Sequence, residues 1–279
     1  MSAKPSRDAP GVEDLASAPP TGQRSAAPGV ADPASAPPTG LARHGAAPPS
    51  DRVRLRRKRE RGSYDRAVIE QILDEALIAH LGIVGAEGQP FVIPMLHARR
   101  GEVVYCHGSS ASRTLRALGS GAPACLTVSL LDGLVLARSA MHHSANYRSV
   151  VLLGTARPVV DHDEKLAAFE AIVEHIVPGR WSEVRPPTEN EIKATGVIEM
   201  RIEEASAKVR TGGPLDDEED YALDAWAGVI PFGPLAGEPQ ADPLLREGIA
   251  VPEHVRGYRR PSTRHPNSGA SSSTGPPAY

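Results

Sequence analysis

The chain has 279 residues, with 31 Lys and Arg against 34 Asp and Glu and a net charge of −3, so no global field draws it to nucleic acid. Its 26 glycines and 27 prolines crowd the two ends, which leaves the middle to build the core. Cys106 and Cys125 lack CxxC spacing, no run approaches the roughly 20 apolar residues of a membrane-spanning helix, and residues 1–10 lack the apolar stretch of a secretory signal; a cytoplasmic protein with no membrane partner is expected.

Residues 1–50 are nearly all Ala, Pro, Ser, Gly and Thr, and ASAPPTG occurs twice, at 16–22 and 34–40. Such a segment has too few large apolar side chains to offset its ordering entropy, and it is expected to be a disordered tail. The basic run 52–61, RVRLRRKRER, has no interleaved aromatics and reads as a solvated lead-in. Ser63 or Asp65 can cap a helix reaching Leu77, with Val68, Ile69, Ile72, Leu73 and Ala76 at helical spacing. Strands are predicted at 80–85, 91–97 and 103–107, separated by turns at 87–90 and 99–101. A short helix follows over 113–118. Segments 124–130 and 133–139 read as two strands joined by a hairpin at Asp132-Gly133. A strand over 149–158, a helix over 163–177 and a last strand over 197–203, leading into 205–213, complete a domain spanning 51–235. Residues 236–279 again have tail composition. Many short strands with few helices predict a mainly β fold, a barrel with flanking helices, rather than a βαβ array.

Three stretches carry chemistry. HGSSASRTLRAL, from His107 to Leu118, places Ser109, Ser112 and Arg113 where a strand gives way to a helix. Free backbone N–H groups, hydroxyls and a guanidinium together suit a phosphate; otherwise Ser112 simply caps the helix and Arg113 faces water. RSAMHHSANYRSVVLLG, from Arg138 to Gly154, sets His143, Asn146, Arg148 and Ser149 among apolar strands, where polar groups are costly unless they meet a ligand or one another. Adjacent His142 and His143 point apart in an extended chain, and no third ligand has convincing spacing, so no metal is expected. In 206–232, Lys208 and Arg210 fall on one strand face, a geometry suited to an anionic substrate. The acidic run 216–220 reads as a solvated loop, and Trp226 either covers a ligand ring or caps the core.

In order over 64–232, the pieces YDRAVIEQILDEAL, GQPFVIPMLHARRGEVVYCHGSSASRTLRAL, LDGLVLARSAMHHSANYRSVVLLGTARPV, PGRWSEVRPPT and ASAKVRTGGP resemble the pyridoxamine 5′-phosphate oxidase-like split-barrel family, in its nitroimidazole-reductase-related branch. The resemblance implies a homodimer with two FMN molecules in clefts between subunits. Val92, Ile93, Pro94 and Met95 would run past the isoalloxazine, and Ser109, Ser112 and Arg113 would hold the phosphate. His107 would stand near the flavin as the catalytic proton or hydrogen-bond partner, with His143, Asn146, Arg148 and Ser149 beside the ring or ribityl chain. The oxidases proper carry Lys after the motif arginine, whereas here Arg113 precedes Thr114, which argues against pyridoxamine-phosphate oxidation. The expected function is electron transfer from a reduced nicotinamide to a small acceptor such as a nitroaromatic. The alternative is a non-catalytic flavin- or haem-binding protein, with His107, His142 or His143 as axial ligand.

Overall fold

The computed structural model describes residues 46–85, 87–233, 236–243, 245–246 and 248–259. In chain order the elements are β1 (Gly62–Ser63), α1 (Arg66–Glu75), β2 (Ile78–Val84), β3 (Pro90–Arg100), β4 (Val103–Ser109), α2 (Arg113–Gly119), β5 (Pro123–Leu136) and β6 (Ser144–Pro158). There follow α3 (His162–Ile176), α4 (Glu189–Ala194), β7 (Thr195–Arg201), β8 (Glu204–Arg210), β9 (Gly228–Pro231) and α5 (Glu253–Arg256). All strand pairings are antiparallel, and β2, β3, β4, β7, β6 and β5 form a closed circuit, because β6 pairs with both β7 and β5 while β2 pairs with both β3 and β5. Strands β8 and β1 extend from β6, and β9 pairs with the far end of β5. The fold is thus mainly β, a split barrel with flanking helices. None of its described helices is long and apolar enough to cross a membrane.

Strand alternation fills the barrel. Leu81 and Ile83 of β2, Leu126, Val128 and Leu130 of β5, Val150 and Leu152 of β6, and Ala205 and Ala207 of β8 share one core. Helix α1 closes it with Val68, Ile69, Ile72 and Leu73, and α2 adds Leu115 and Leu118. Asp65 fixes the start of α1 by accepting from the Ala67 N–H at 2.8 Å, which satisfies one of the donors a helix start leaves open. On the outside, α3 covers β3, β4 and β7 through Ala168 and Ile172, packed against Ala98, Tyr105 and Val197.

The expected hairpin at Asp132-Gly133 is absent. Instead β5 is one continuous strand with a register shift between Leu131 and Gly133, so the Asp-Gly pair marks a β-bulge. Gly133 is required there by β9, since a Cβ would lie 2.7 Å from the Ile230 carbonyl oxygen. Strands β1 and β9 and helix α4 were not visible as sequence patterns, being short and without periodicity. The basic lead-in docks by Val53, which is buried, with Arg52 3.2 Å from Glu204 and Arg54 2.7 Å from Asp51. Helix α5 forms within the stretch read as a C-terminal tail. Residues 1–45, with both ASAPPTG copies, and residues 260–279 lie outside the described residues.

Between β3 and α3 two imidazoles lie with ring centroids 5.2 Å apart. His97 is fully buried and donates from Nε2 to the Leu73 carbonyl at 3.1 Å, while His175 donates to the Ala76 carbonyl at 2.8 Å. Burial, helped by the neighbouring His175, lowers the His97 pKa from 6.5 to about 4. Above pH 6.5 His97 is neutral folded and unfolded, whereas below it only the unfolded chain takes up the proton. Stability is therefore expected to fall by about 3 kcal/mol between pH 7 and pH 4 through this residue. Urea unfolding across that range should show the loss, and His97→Gln, which can still donate to Leu73, should flatten it.

Candidate functional site

The barrel is split between β3 and β4. Strand β3 pairs with β2 along 90–96 but with β4 only over 97–100, while β4 at 107–109 pairs with β7 alone. Two strand edges therefore diverge, and among the described residues neither has a ladder partner. Backbone N–H and C=O groups along such an edge need hydrogen-bonding partners. The side chains there are apolar: Val92 is 66% exposed, Pro94 is exposed, and Ile93 and Met95 are half-buried. A strand edge with unused polar groups and apolar neighbours suits a flat heteroaromatic ligand with a polar rim.

Just past the split, β4 turns into α2. The Ser112 N–H donates to the Ser109 carbonyl at 2.9 Å, Ser109 Oγ accepts from the Ala111 N–H at 3.3 Å, and Ser112 Oγ accepts from the Leu115 N–H at 3.4 Å. Ser112 is thus the helix cap. Arg113 is exposed and has no hydrogen bond or ion pair among the described residues, so its guanidinium is available to an anion.

His107 faces outward from β4 into a cavity of about 210 Å³, lined also by Phe169, Ile172 and Val173 of α3 and by Pro187, Glu191 and Thr195. Its Nδ1 is buried without a hydrogen-bond partner among the described residues. Burial pushes its pKa below the usual histidine value, which keeps the ring neutral at neutral pH. A neutral imidazole with an unused nitrogen can exchange a hydrogen bond with a ligand or bind a metal centre.

Within the single chain the polar strand residues bond one another and nearby backbone carbonyls. Arg148, expected beside a flavin, lies in a buried ion-pair cluster: it donates to both Glu75 carboxylate oxygens and to both Asp132 oxygens, the latter at 2.9 Å. Asn146 donates to the Gly212 carbonyl at 3.1 Å and accepts from Arg210. Ser149 Oγ donates to the Lys208 carbonyl at 3.4 Å, and exposed His143 bonds the Ser139 carbonyl through Nδ1 at 3.0 Å. Glu75 and Asp132 were missed by sequence reasoning. Their signal was a carboxylate on the buried stripe of α1 and an Asp-Gly pair inside an apolar strand.

The acidic run is not a solvated loop throughout. The Asp216 carboxylate is buried, accepting from the Arg138 backbone N–H at 3.0 Å and pairing with its guanidinium at 3.1 Å, and Arg138 stacks 4.8 Å from the Tyr221 ring centroid. The fold also brings the acidic partners that spacing did not offer, since His142, Asp217 and Asp220 have ligand atoms within 4.8 Å of one another. Within this grouping His142 Nε2 lies 3.9 Å from an Asp217 carboxylate oxygen. Trp226 is 69% exposed and stands outside the core, its ring against Gly228. Lys208 is half-buried and Arg210 is buried on the outer face of β8, as expected from their alternation.

Residues 65–209 match the family described as pyridoxamine 5′-phosphate oxidase. Among solved structures, the flavocytochrome Anf3 from Azotobacter vinelandii is 46% identical, with a TM-score of 0.70 over 74% of this chain and 96% of that one. The FAD and heme binding protein from Mycobacterium smegmatis is 36% identical, with a TM-score of 0.68 over 72% of this chain and 98% of that one. No curated protein sequence matches the chain.

Proposed function

The chain belongs to the pyridoxamine 5′-phosphate oxidase family, and on that premise we propose that it is a dimeric flavin-binding oxidoreductase whose flavin is FAD and which also carries haem. The carrying observation is the pair of relatives: a flavocytochrome and an FAD and heme binding protein match this chain over nearly their whole length. For that reason FAD is preferred to the FMN that the motifs suggest. The residues fit such a group. The open edge at 90–96 and its apolar side chains would receive the isoalloxazine, and Ser109 and Arg113 would hold the nearest phosphate. The neutral His107 ring, with Nδ1 unused among the described residues, would hold the haem iron.

Bound flavin supplies hydride acceptance from a reduced nicotinamide and onward electron transfer. The chain positions it at the open edge of β3, while Phe169, Ile172 and Val173 give the cavity beside His107 an apolar wall. A cavity of about 210 Å³ is below the ~300–1,000 Å³ of a complete small-molecule site, which supports completion by a second copy. The outer face of β2, β5, β6 and β8 is available for that contact, since none of the described helices packs on it and it presents Ile78, Val84, Leu131, Tyr147 and Val151.

Absorbance and mass of the cofactors released from the purified protein test the reading. FAD and a Soret band are expected, and anaerobic NADPH or NADH should bleach the flavin bands. His107→Ala should keep the flavin and lose the Soret band. Protein that binds neither added FAD nor FMN would overturn the flavoprotein reading, and a flavin that no nicotinamide reduces would leave only cofactor binding.

A further inference from the structure

Among the described residues Arg210 holds a buried charge without a carboxylate partner. It is 6% exposed, and its guanidinium donates to Asn146 Oδ1, to the Gly212 carbonyl at 3.3 Å and to the Gly213 carbonyl at 3.1 Å, all neutral acceptors. Its Nε is buried with no hydrogen-bond partner among the described residues. Arg148, buried to a similar degree, sits between two carboxylates. Charges are seldom left buried unless they are paired, because the desolvation penalty is several kcal/mol.

The surroundings of Arg210 add positive charge. Pairing of β1 with β8 sets Gly62 opposite Lys208 and brings Arg61 alongside. Burial and the Arg61 charge together push the Arg210 pKa below the usual arginine value. Lys208 shares the strand face of Arg210, and Tyr147 and Ser149 are their cross-strand neighbours on β6. Among the described residues no acid pairs with Lys208 or Arg210, and Arg61 meets only Glu60, at 3.9 Å. Exposed Arg56, Arg57, Lys58 and Arg59 lead up to the cluster.

We infer that Arg61, Lys208 and Arg210, with the Tyr147 hydroxyl, form a binding site for a phosphoryl anion carried by a nucleotide. Guanidinium groups match phosphate oxygens in charge and in paired geometry, and a buried guanidinium is already ordered for that contact. An anion here would also satisfy the unused Nε. The nucleotide rests on the flavoprotein reading, whereas the anion site stands on the cation cluster alone. Two sources share the chemistry: the pyrophosphate bridge of FAD and the phosphates of a nicotinamide donor.

The test is calorimetric titration of the full chain, freed of its flavin, with inorganic pyrophosphate at fixed ionic strength. Saturable binding is expected, weakened about tenfold by Arg61→Ala and by Lys208→Ala. Both side chains reach the surface, so these variants should fold even where Arg210→Gln does not. If FAD blocks pyrophosphate and riboflavin does not, FAD is the source. If NADPH blocks it in flavin-loaded protein, the donor is. No pyrophosphate binding, or equal binding in both variants, overturns the site, as does dissociation of a dimer in the variants without any anion affinity, which would make a carboxylate of the second copy the counter-ion. Riboflavin binding reads the split separately. Its loss with pyrophosphate binding intact would remove the flavin and leave the anion site.

Discussion

Replacing Arg148 by methionine is expected to lower the unfolding free energy of the apoprotein by about 3–5 kcal/mol, the usual cost of removing one member of a buried ion pair. The Glu75, Asp132 and Arg148 side chains are each at most 11% exposed, and the guanidinium lies between the two carboxylates. Methionine fills much of the volume but removes the guanidinium that donates to all four oxygens of the two buried carboxylates. The three residues also join separate parts of the fold: the last turn of α1, the bulge of β5 and the middle of β6. The Asp132 carbonyl accepts from the Phe232 N–H at 2.9 Å, so the bulge also anchors the segment after β9. Loss should therefore be cooperative and visible as a lowered urea midpoint. Arg148→Lys should recover only part of it, because one ammonium cannot serve both carboxylates in a forked geometry. The alternative drawn from the sequence, Arg148 at the flavin, makes the opposite forecast: unchanged apoprotein stability and weakened flavin binding.

That contrast shows where sequence reading reached and where it stopped. Barrel strands were legible because β2, β4 and β6 alternate or run apolar between turn residues. The helices α1 and α3 were legible because apolar residues recur every three or four positions. The split itself left a signal, the order of the 90–96 and 107–113 motifs, but its geometry comes from where β3 ceases to pair with β4, which no local pattern encodes. The Arg148 cluster is non-local, with partners 73 and 16 residues away, and a lone charge in an apolar strand invites a ligand reading when its partners cannot be seen. For Trp226 the exposed position sets aside the core-capping alternative, which a large aromatic suggests until the sheet edge beneath it is known. Arg210 is the converse case. Its alternation with Lys208 suggested an anion, and the structure places a buried Arg210 beside a half-buried Lys208, with no acid paired to either among the described residues.

Leu131→Glu is expected to turn a dimer into monomers and to strip the flavin with it. Leu131 projects from β5 opposite Tyr147 on the outer face of the barrel and is 52% exposed in the single chain. Within one chain the substitution adds a carboxylate at a wet surface position, where changes stay within about 0.5 kcal/mol. In a two-fold dimer seated on this face, the same position occurs twice, so two carboxylates would lose water on association. An interface penalty of about 2–4 kcal/mol raises the dimer dissociation constant by roughly 30- to 1,000-fold. A cofactor bound between subunits stabilises the assembled state by mass action, so its retention should fall with the dimer. Sedimentation velocity at micromolar protein, read at protein and flavin wavelengths, follows both events in one run. Leu131→Met should leave mass and colour unchanged, which separates loss of the apolar contact from any effect on the bulge next door. A Leu131→Glu protein that stays dimeric and keeps its flavin would show that β5 does not form the seam, and a dimer that splits while each monomer retains flavin would place the cofactor within one chain.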